Sequence, residues 1–152
     1  MWTLKPEVRR LGHTIRVVCP LEIEVDSFPG PLGHVISNLV MNSFVHGFPN
    51  GPGGHVEIQV EREGDFARIV VGDDGVGIPE ESKARVFEPF FTTRLGRGGS
   101  GLGLHICLGI ATHVLGGTLT LRPSSGGASF ELRIALKAPE GDDGERASFF
   151  EI

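Results

Sequence analysis

A chain of 152 residues with a formal net charge of −5 is of single-domain size and needs neither disulfides nor metal to bury a core. Its 23 glycines and 10 prolines approach low-complexity composition, but Leu, Val, Ile and Phe make up about a third of the chain, which excludes a core-poor disordered sequence. Only 14 Lys and Arg are scattered along it and no apolar run has signal-peptide or membrane-spanning length; the reading is a soluble cytoplasmic domain with no nucleic acid and no direct membrane contact.

Taken in chain order, residues 1–11 read as a linker, and Thr14 to Val18 and Leu21 to Val25 as a pair of short strands around Cys19-Pro20. Pro31 opens an apolar-periodic helix through Leu32, Val35, Ile36, Leu39, Val40 and Phe44 to about His46, and Gly47 ends it. His55 to Glu63 and Phe66 to Gly72 alternate polar and apolar residues about Glu63-Gly64-Asp65, a hairpin. Pro79-Glu80-Glu81 starts a short helix reaching Phe87, and a third helix runs from Gly101 to about Leu115, stopped by Gly116-Gly117. Two further strands follow at Thr118 to Leu121 and Ser129 to Leu136. Residues 137–152 lose the pattern, turn acidic and read as a flexible tail. Cys19 and Cys107, with no Cys-x-x-Cys pair, read as reduced, buried thiols.

Three segments carry chemistry. His34, Asn38, Asn42 and His46 recur every four residues and form one polar row on the first helix. Such a row is either a solvated stripe or a place where an Asn carbonyl serves as a hard oxygen ligand for Mg²⁺, a metal that completes its shell with water and phosphate. Asp73-Asp74-Gly75-Val76-Gly77 runs from a strand end straight into glycines. It is either an ordinary Asp-Gly turn or a carboxylate that accepts an exocyclic amine while a flat ring lies against bare backbone. Gly96-Arg97-Gly98-Gly99-Ser100-Gly101-Leu102-Gly103, with five glycines in eight residues, leads into a helix and has the composition of a phosphate cradle. Thr92, Thr93, Arg94 and Arg97 supply hydroxyls and charge beside it. It is no Walker A loop, since the lysines are Lys5, Lys83 and Lys137 alone. Phe87-Glu88-Pro89-Phe90-Phe91 is aromatic but outside any period, as a conditionally packed latch would be.

In this order the segments resemble the catalytic, ATP-binding domain of sensor histidine kinases, in the superfamily that also holds gyrase, Hsp90 and MutL ATPases. The N box is similar to Asn38-Leu39-Val40-Met41-Asn42, the first glycine box to Asp73-x-Gly75-x-Gly77, and the F box to Phe87 through Thr93. The second glycine box is similar to Gly99-Ser100-Gly101-Leu102-Gly103-Leu104 and the third to Gly126 through Phe130. The resemblance covers about residues 12–136. It implies an α/β (α+β) two-layer sandwich: a mixed, mostly antiparallel sheet with three helices on one face, binding ATP and Mg²⁺ between helix and lid. By carry-over, Asn42 ligates the metal, Asn38 lies beside the phosphates, Asp73 takes the adenine amine, and Gly75 and Gly77 line the base. Gly99, Ser100, Gly101, Leu102, Gly103 and Leu104 form the lid hinge, with Thr92, Thr93 and Arg94 as phosphate contacts.

Three positions depart from the family pattern. Val45 stands where a lysine is common, with His46 as its substitute; Ala128 stands where threonine is common; and Asn38 replaces the glutamate base of the hydrolysing relatives. The last favours phosphoryl transfer over hydrolysis. No histidine of the chain is followed by Glu, Asp or Asn, so the acceptor histidine is expected on a separate dimerisation domain of a longer protein. The implied partners are that domain and a response-regulator receiver; the isolated domain is expected to be a monomer and the full-length protein a homodimer, with a membrane anchor allowed. An anti-sigma-factor serine kinase, matching Asn42 to Gly47, and a non-catalytic ATP-sensing module are the alternatives.

Overall fold

The computed structural model describes residues 10–93 and 100–140. Five strands form one sheet, β1 (Thr14–Val18), β2 (His55–Glu63), β3 (Phe66–Asp73), β4 (Thr118–Leu121) and β5 (Ser129–Ala135), in the spatial order β1-β2-β3-β5-β4. β1 and β2 are parallel, and the other neighbours are antiparallel. A parallel pair needs a crossover, and this one carries α1 (Pro29–Asn42), extended by a wider π-helical turn over Ser43–Gly47. α2 (Glu80–Lys83) is a single turn, and α3 (Gly103–Gly109) continues as a π-helical turn over Ile110–Val114. The result is the mixed, mostly antiparallel two-layer sandwich that the resemblance implies, with three helices between its strands among the described residues.

Period decides which faces meet. Val56, Ile58, Ala67, Ile69, Val71, Phe130, Leu132 and Ile134 alternate along their strands and face Val35, Leu39 and Val40 of α1, with Cys107, Ile110, Ala111 and Val114 after it. Each fully buried aliphatic side chain stabilises the fold by roughly 1.5–3 kcal/mol. The opposite sheet face is polar and ion-paired. Arg68 bonds Glu131 at 2.9 Å and Glu61 at 3.1 Å, which offsets the like charge of Arg133 directly across from it. Arg133 in turn pairs with Glu63 at 3.5 Å and lies 3.7 Å over the Phe66 ring.

The short helix expected to reach Phe87 ends at Lys83, and Ala84 to Phe87 continue as turns. Four further expectations shift. α1 begins at Pro29, not Pro31: Leu32 N–H already donates to Phe28 O at 3.0 Å, and first-turn positions have no donor to lose, so both prolines fit. The third helix starts at Gly103, not Gly101, because Gly101 stands at φ 72°, outside the helical region. Leu21 to Val25 is not a strand. Cys19-Pro20 offers no positive-φ pair for a two-residue hairpin, so the segment crosses the fold, packing Ile23 and Val25 on the core, until Asp26 pairs with Lys137. Asp26 N–H donates to Leu136 O and Ala138 N–H to Asp26 O, both at 2.8 Å, which brings the start of the acidic tail onto the domain.

The fourth shift concerns the thiols. Cys107 is buried as expected, and burial pushes its thiol up to about 12. Cys19 is exposed, its Sγ–H donating to Leu21 O at 3.0 Å, because it follows a strand at the sheet edge. At about pH 8 a thiol reagent should therefore label one cysteine in the native protein and both in denaturant. An unfolded Cys107 ionises near ~8.5 while the folded one holds its proton, so above that pH the unfolded state binds fewer protons. Stability should fall as pH climbs from about 9 to 12, by up to ~1.4 kcal/mol per unit, as measured by denaturant titration at stepped pH.

Candidate functional site

β3 ends at Asp73, where the chain leaves the sheet through Gly75 and Gly77. The Asp73 backbone N–H donates to Ala128 O at 2.9 Å, and its Oδ1 accepts the N–H groups of Ala128 at 3.1 Å and Gly75 at 2.9 Å. These bonds tie the loop before β5 to the end of β3. Oδ2 is different: it is buried and has no hydrogen-bond partner. An unpaired buried carboxylate oxygen is expensive, and it is the atom a ligand amine would satisfy.

Bare backbone closes in on that carboxylate because side chains are missing. Gly47, at the end of the π-helical turn, would place a Cβ 3.2 Å from Asp73 Oδ1, and Val76 N–H donates to Gly47 O at 2.9 Å. A Cβ on Gly75 would enter the Gly47 carbonyl, and one on Gly127 the Asp73 carbonyl. Gly77 turns at φ 77°, its would-be Cβ 3.0 Å from Gly127 O. Three stretches of chain, at Gly47, Asp73–Gly77 and Gly127, 26 to 80 residues apart, converge there, and at Gly75 and Gly127 only glycine fits. Gly75 and Gly77 are the glycines of the Asp73 motif. The sequence marks Gly47 as a helix stop and Gly127 as part of a box, but not that either meets Asp73; the local signal for both is a glycine abutting a periodic element.

The polar row leads away from this slot. Asn42 Nδ2 donates to Asn38 Oδ1 at 3.2 Å, which fixes the two amides and leaves the Asn42 carbonyl oxygen outside that pair. Both side chains are half-buried. Gly103 lies against Asn38, where its Cβ would stand 2.8 Å from Nδ2, so the second glycine box meets the row through bare backbone. At the other end Thr93 Oγ1 and His46 Nδ1 are 3.3 Å apart, and Thr92 is half-buried beside it. Between these contacts the loop turns at Gly101 (φ 72°), where Leu102 N–H bonds Ser100 Oγ at 3.3 Å and Leu104 packs on the core. Arg94, Arg97 and Gly99 lie outside the described residues.

The F box packs unevenly. Phe87 meets Phe130 edge to face at 6.1 Å and its carbonyl accepts from His105 Nδ1 at 3.2 Å, while Arg85 covers the Phe91 ring at 4.6 Å. Phe90 is 70% exposed at φ 64°, a conformation unfavourable for an aromatic residue, and Gly101 has no Cβ to collide with its backbone. Behind Gly47, His13 is buried, stacked on Phe44 at 4.8 Å and accepting the Gly54 N–H at Nδ1, a packing role that its sequence position did not announce. A concavity of about 590 Å³ on the polar sheet face is lined by Val70, Gly72, Asp73 and Ala128 among others, while the amide row lies on the helical side.

The residues therefore fit a flat, amine-bearing base at Asp73 with a polyanion along the row. The Asn42 carbonyl oxygen, outside the amide pair, is a hard oxygen of the kind that Mg²⁺ takes beside water and phosphate.

Comparison with known proteins adds to this geometry. The family model for histidine kinase-, DNA gyrase B-, and HSP90-like ATPases matches residues 29–138. The alginate biosynthesis sensor protein KinB of Pseudomonas aeruginosa is 40% identical over 134 residues, covering 87% of this chain and 22% of its own length. The chain thus spans about a fifth of that curated relative. The anti-sigma F factor of Geobacillus stearothermophilus is 42% identical over 72 residues, 47% of this chain and 48% of that protein. Among solved structures, the catalytic domain of histidine kinase ThkA in nucleotide-free form superposes with a TM-score of 0.75 at 29% identity, covering 90% of this chain and 87% of that one. ThkA in complex with response regulator protein TrrA gives a TM-score of 0.72 at 27% identity, covering 90% and 38%.

Proposed function

The chain belongs to the histidine kinase-, DNA gyrase B-, and HSP90-like ATPase family, and on that premise we propose that it is the ATP-binding catalytic domain of a sensor histidine kinase. It donates the γ-phosphate of Mg-ATP to a histidine on a separate dimerisation domain, from which a response-regulator receiver takes it. The observation that carries this reading is the unpaired, buried Oδ2 of Asp73 at the base of a glycine-lined slot that opens onto two hydrogen-bonded asparagines.

Asp73 accepts the adenine amine, and Gly75, Gly77, Gly47 and Gly127 let the ring lie against backbone. Asn42 offers its carbonyl oxygen to Mg²⁺, which when bound neutralises charge on the phosphates. Asn38, His46, Thr92, Thr93 and Arg94 hold the phosphate chain, and Gly99 through Leu104 form the lid's hinge. Asn38 is an amide and cannot take a proton from water, so the site positions the phosphoryl group without generating a nucleophile. The anti-sigma alternative rests on a similarity over 47% of the chain, whereas the sensor-kinase relative covers 87%.

The test is to mix the protein with labelled Mg-ATP and a separately made helical hairpin bearing the acceptor histidine. Label should move to the hairpin, and from it to a receiver domain; tight ATP binding with no transfer to any cognate hairpin would make the domain a nucleotide-sensing module instead. Asn42→Ala should weaken nucleotide binding by about tenfold in Mg²⁺ and remove most of the difference between Mg²⁺ and chelator, with little change in melting temperature. Unfolding of that variant would make the row structural.

A further inference from the structure

His13 belongs to none of the boxes, yet it touches residues on both sides of Gly47. Its ring stacks on Phe44 at 4.8 Å, three residues before Gly47, and tilts against Phe48 at 4.9 Å, one residue after it. We propose that His13 is a positioning residue for the base slot: it holds Gly47 against Asp73 and so sets the affinity for the base end of a nucleotide. This rests on the nucleotide-binding reading above. Gly47 is where the slot closes, since its carbonyl accepts the Val76 N–H at 2.9 Å and its backbone leaves no room for a Cβ on Gly75. A small displacement of Gly47 therefore changes the approach to the Asp73 carboxylate, which a Cβ on Gly47 would meet at 3.2 Å.

Two demands meet at His13. A flat ring must lie against Phe44 and Phe48, and an acceptor in the plane of that ring must take the buried Gly54 N–H, which reaches Nδ1 at 3.2 Å. Phenylalanine meets only the first demand, and asparagine or glutamine only the second. Gly54 is held by the same cluster, since its Cβ would stand 2.5 Å from the Phe48 ring. On either side of His13, Gly12 O accepts the Gly53 N–H at 2.9 Å and Thr14 N–H donates to Gly54 O at 3.0 Å. One residue further on, His55 N–H donates to Asp74 Oδ1 at 2.8 Å, so the same loop also grips the chain that leaves β3. The segment entering β1, the loop over residues 48–54 and the end of β3 thus move as one unit. Without its acceptor the Gly54 N–H would seek water, and the loop would carry Phe48 and Gly47 with it.

Titration calorimetry of the 152-residue chain with Mg-ATP and with Mg-ADP, well below the melting temperature, tests this in the wild type, His13→Phe and Phe48→Leu. The first variant keeps the stack and removes the acceptor; the second keeps the acceptor and removes one ring. Each should weaken both nucleotides by the same factor, about fivefold, because only the base end is disturbed. A role in packing alone lowers the melting temperature and leaves the affinity of the folded protein unchanged, and that result would overturn the assignment of His13. Weakening of ATP without ADP would overturn it too, by placing the effect at the phosphate end. Should His13→Phe fail to fold, Phe48→Leu carries the same expectation. A wild-type chain that binds neither nucleotide would overturn the nucleotide reading itself, an outcome visible before any variant is made.

Discussion

Asp73→Asn should weaken Mg-ATP binding by about 1.5–3 kcal/mol, roughly ten- to a hundredfold, while melting temperature changes little. The two carboxylate oxygens have separate duties, and that separation makes the prediction sharp. Oδ1 accepts two backbone N–H groups, from Gly75 and Ala128, and an asparagine oxygen in the same place keeps both bonds. The NH2 then replaces Oδ2, the buried oxygen that has no partner in the protein. A donor now faces the donor of the incoming base, so an attraction becomes a repulsion without loss of shape. Calorimetry showing unchanged affinity would remove Asp73 from the base-binding site. Asp73→Ala is the contrasting case. It strands both backbone N–H groups and should lower stability together with binding.

Gly127→Ala should destabilise the domain by ~3 kcal/mol or more and abolish nucleotide binding. Two independent effects act at this residue. Its φ of 68° is unfavourable for any L side chain, and its Cβ would occupy the space of the Asp73 carbonyl and stand 2.7 Å from Oδ1. The obstacle is backbone rather than a flexible side-chain end, so relief requires the loop before β5 to separate from the end of β3. That movement would break the paired bonds between Asp73 and Ala128. Gly126→Ala is the control: no atom lies within 4 Å of its would-be Cβ, so thermal melting should barely change. A normal melting temperature for Gly127→Ala would mean that the close approach is not needed.

The fold was largely legible because its elements are periodic. The hairpin of β2 and β3, the apolar face of α1 and the Gly116-Gly117 stop all follow from patterns shorter than a dozen residues. Leu21 to Val25 departs from its expected strand for the opposite reason. Its composition favours a strand, but strand pairing is a property of two segments, and Asp26 finds its partner at Lys137, more than a hundred residues away. Cys19 followed the same logic, since burial depends on whether a second layer covers a strand end.

At the site, the row of His34, Asn38, Asn42 and His46 is a consequence of helical spacing and needs no tertiary information. Likewise, a carboxylate running into glycines marks a place where a ring can approach backbone. Which atoms meet is another matter. That Oδ1 is spent on Gly75 and Ala128 while Oδ2 remains unpaired depends on β3 lying next to β5 in a register that puts Gly72 opposite Ser129. Gly127 gains its importance from the same register, Gly47 and Gly75 from the packing of the π-helical turn against the end of β3, and Gly103 from the packing of α3 against α1. The sequence by itself determined the elements, the polar row and the kind of ligand chemistry, because these are local patterns of period and residue type. Only the tertiary structure decided which carboxylate oxygen is available and which glycines are indispensable, because close approach between distant backbones is set by sheet register and helix packing.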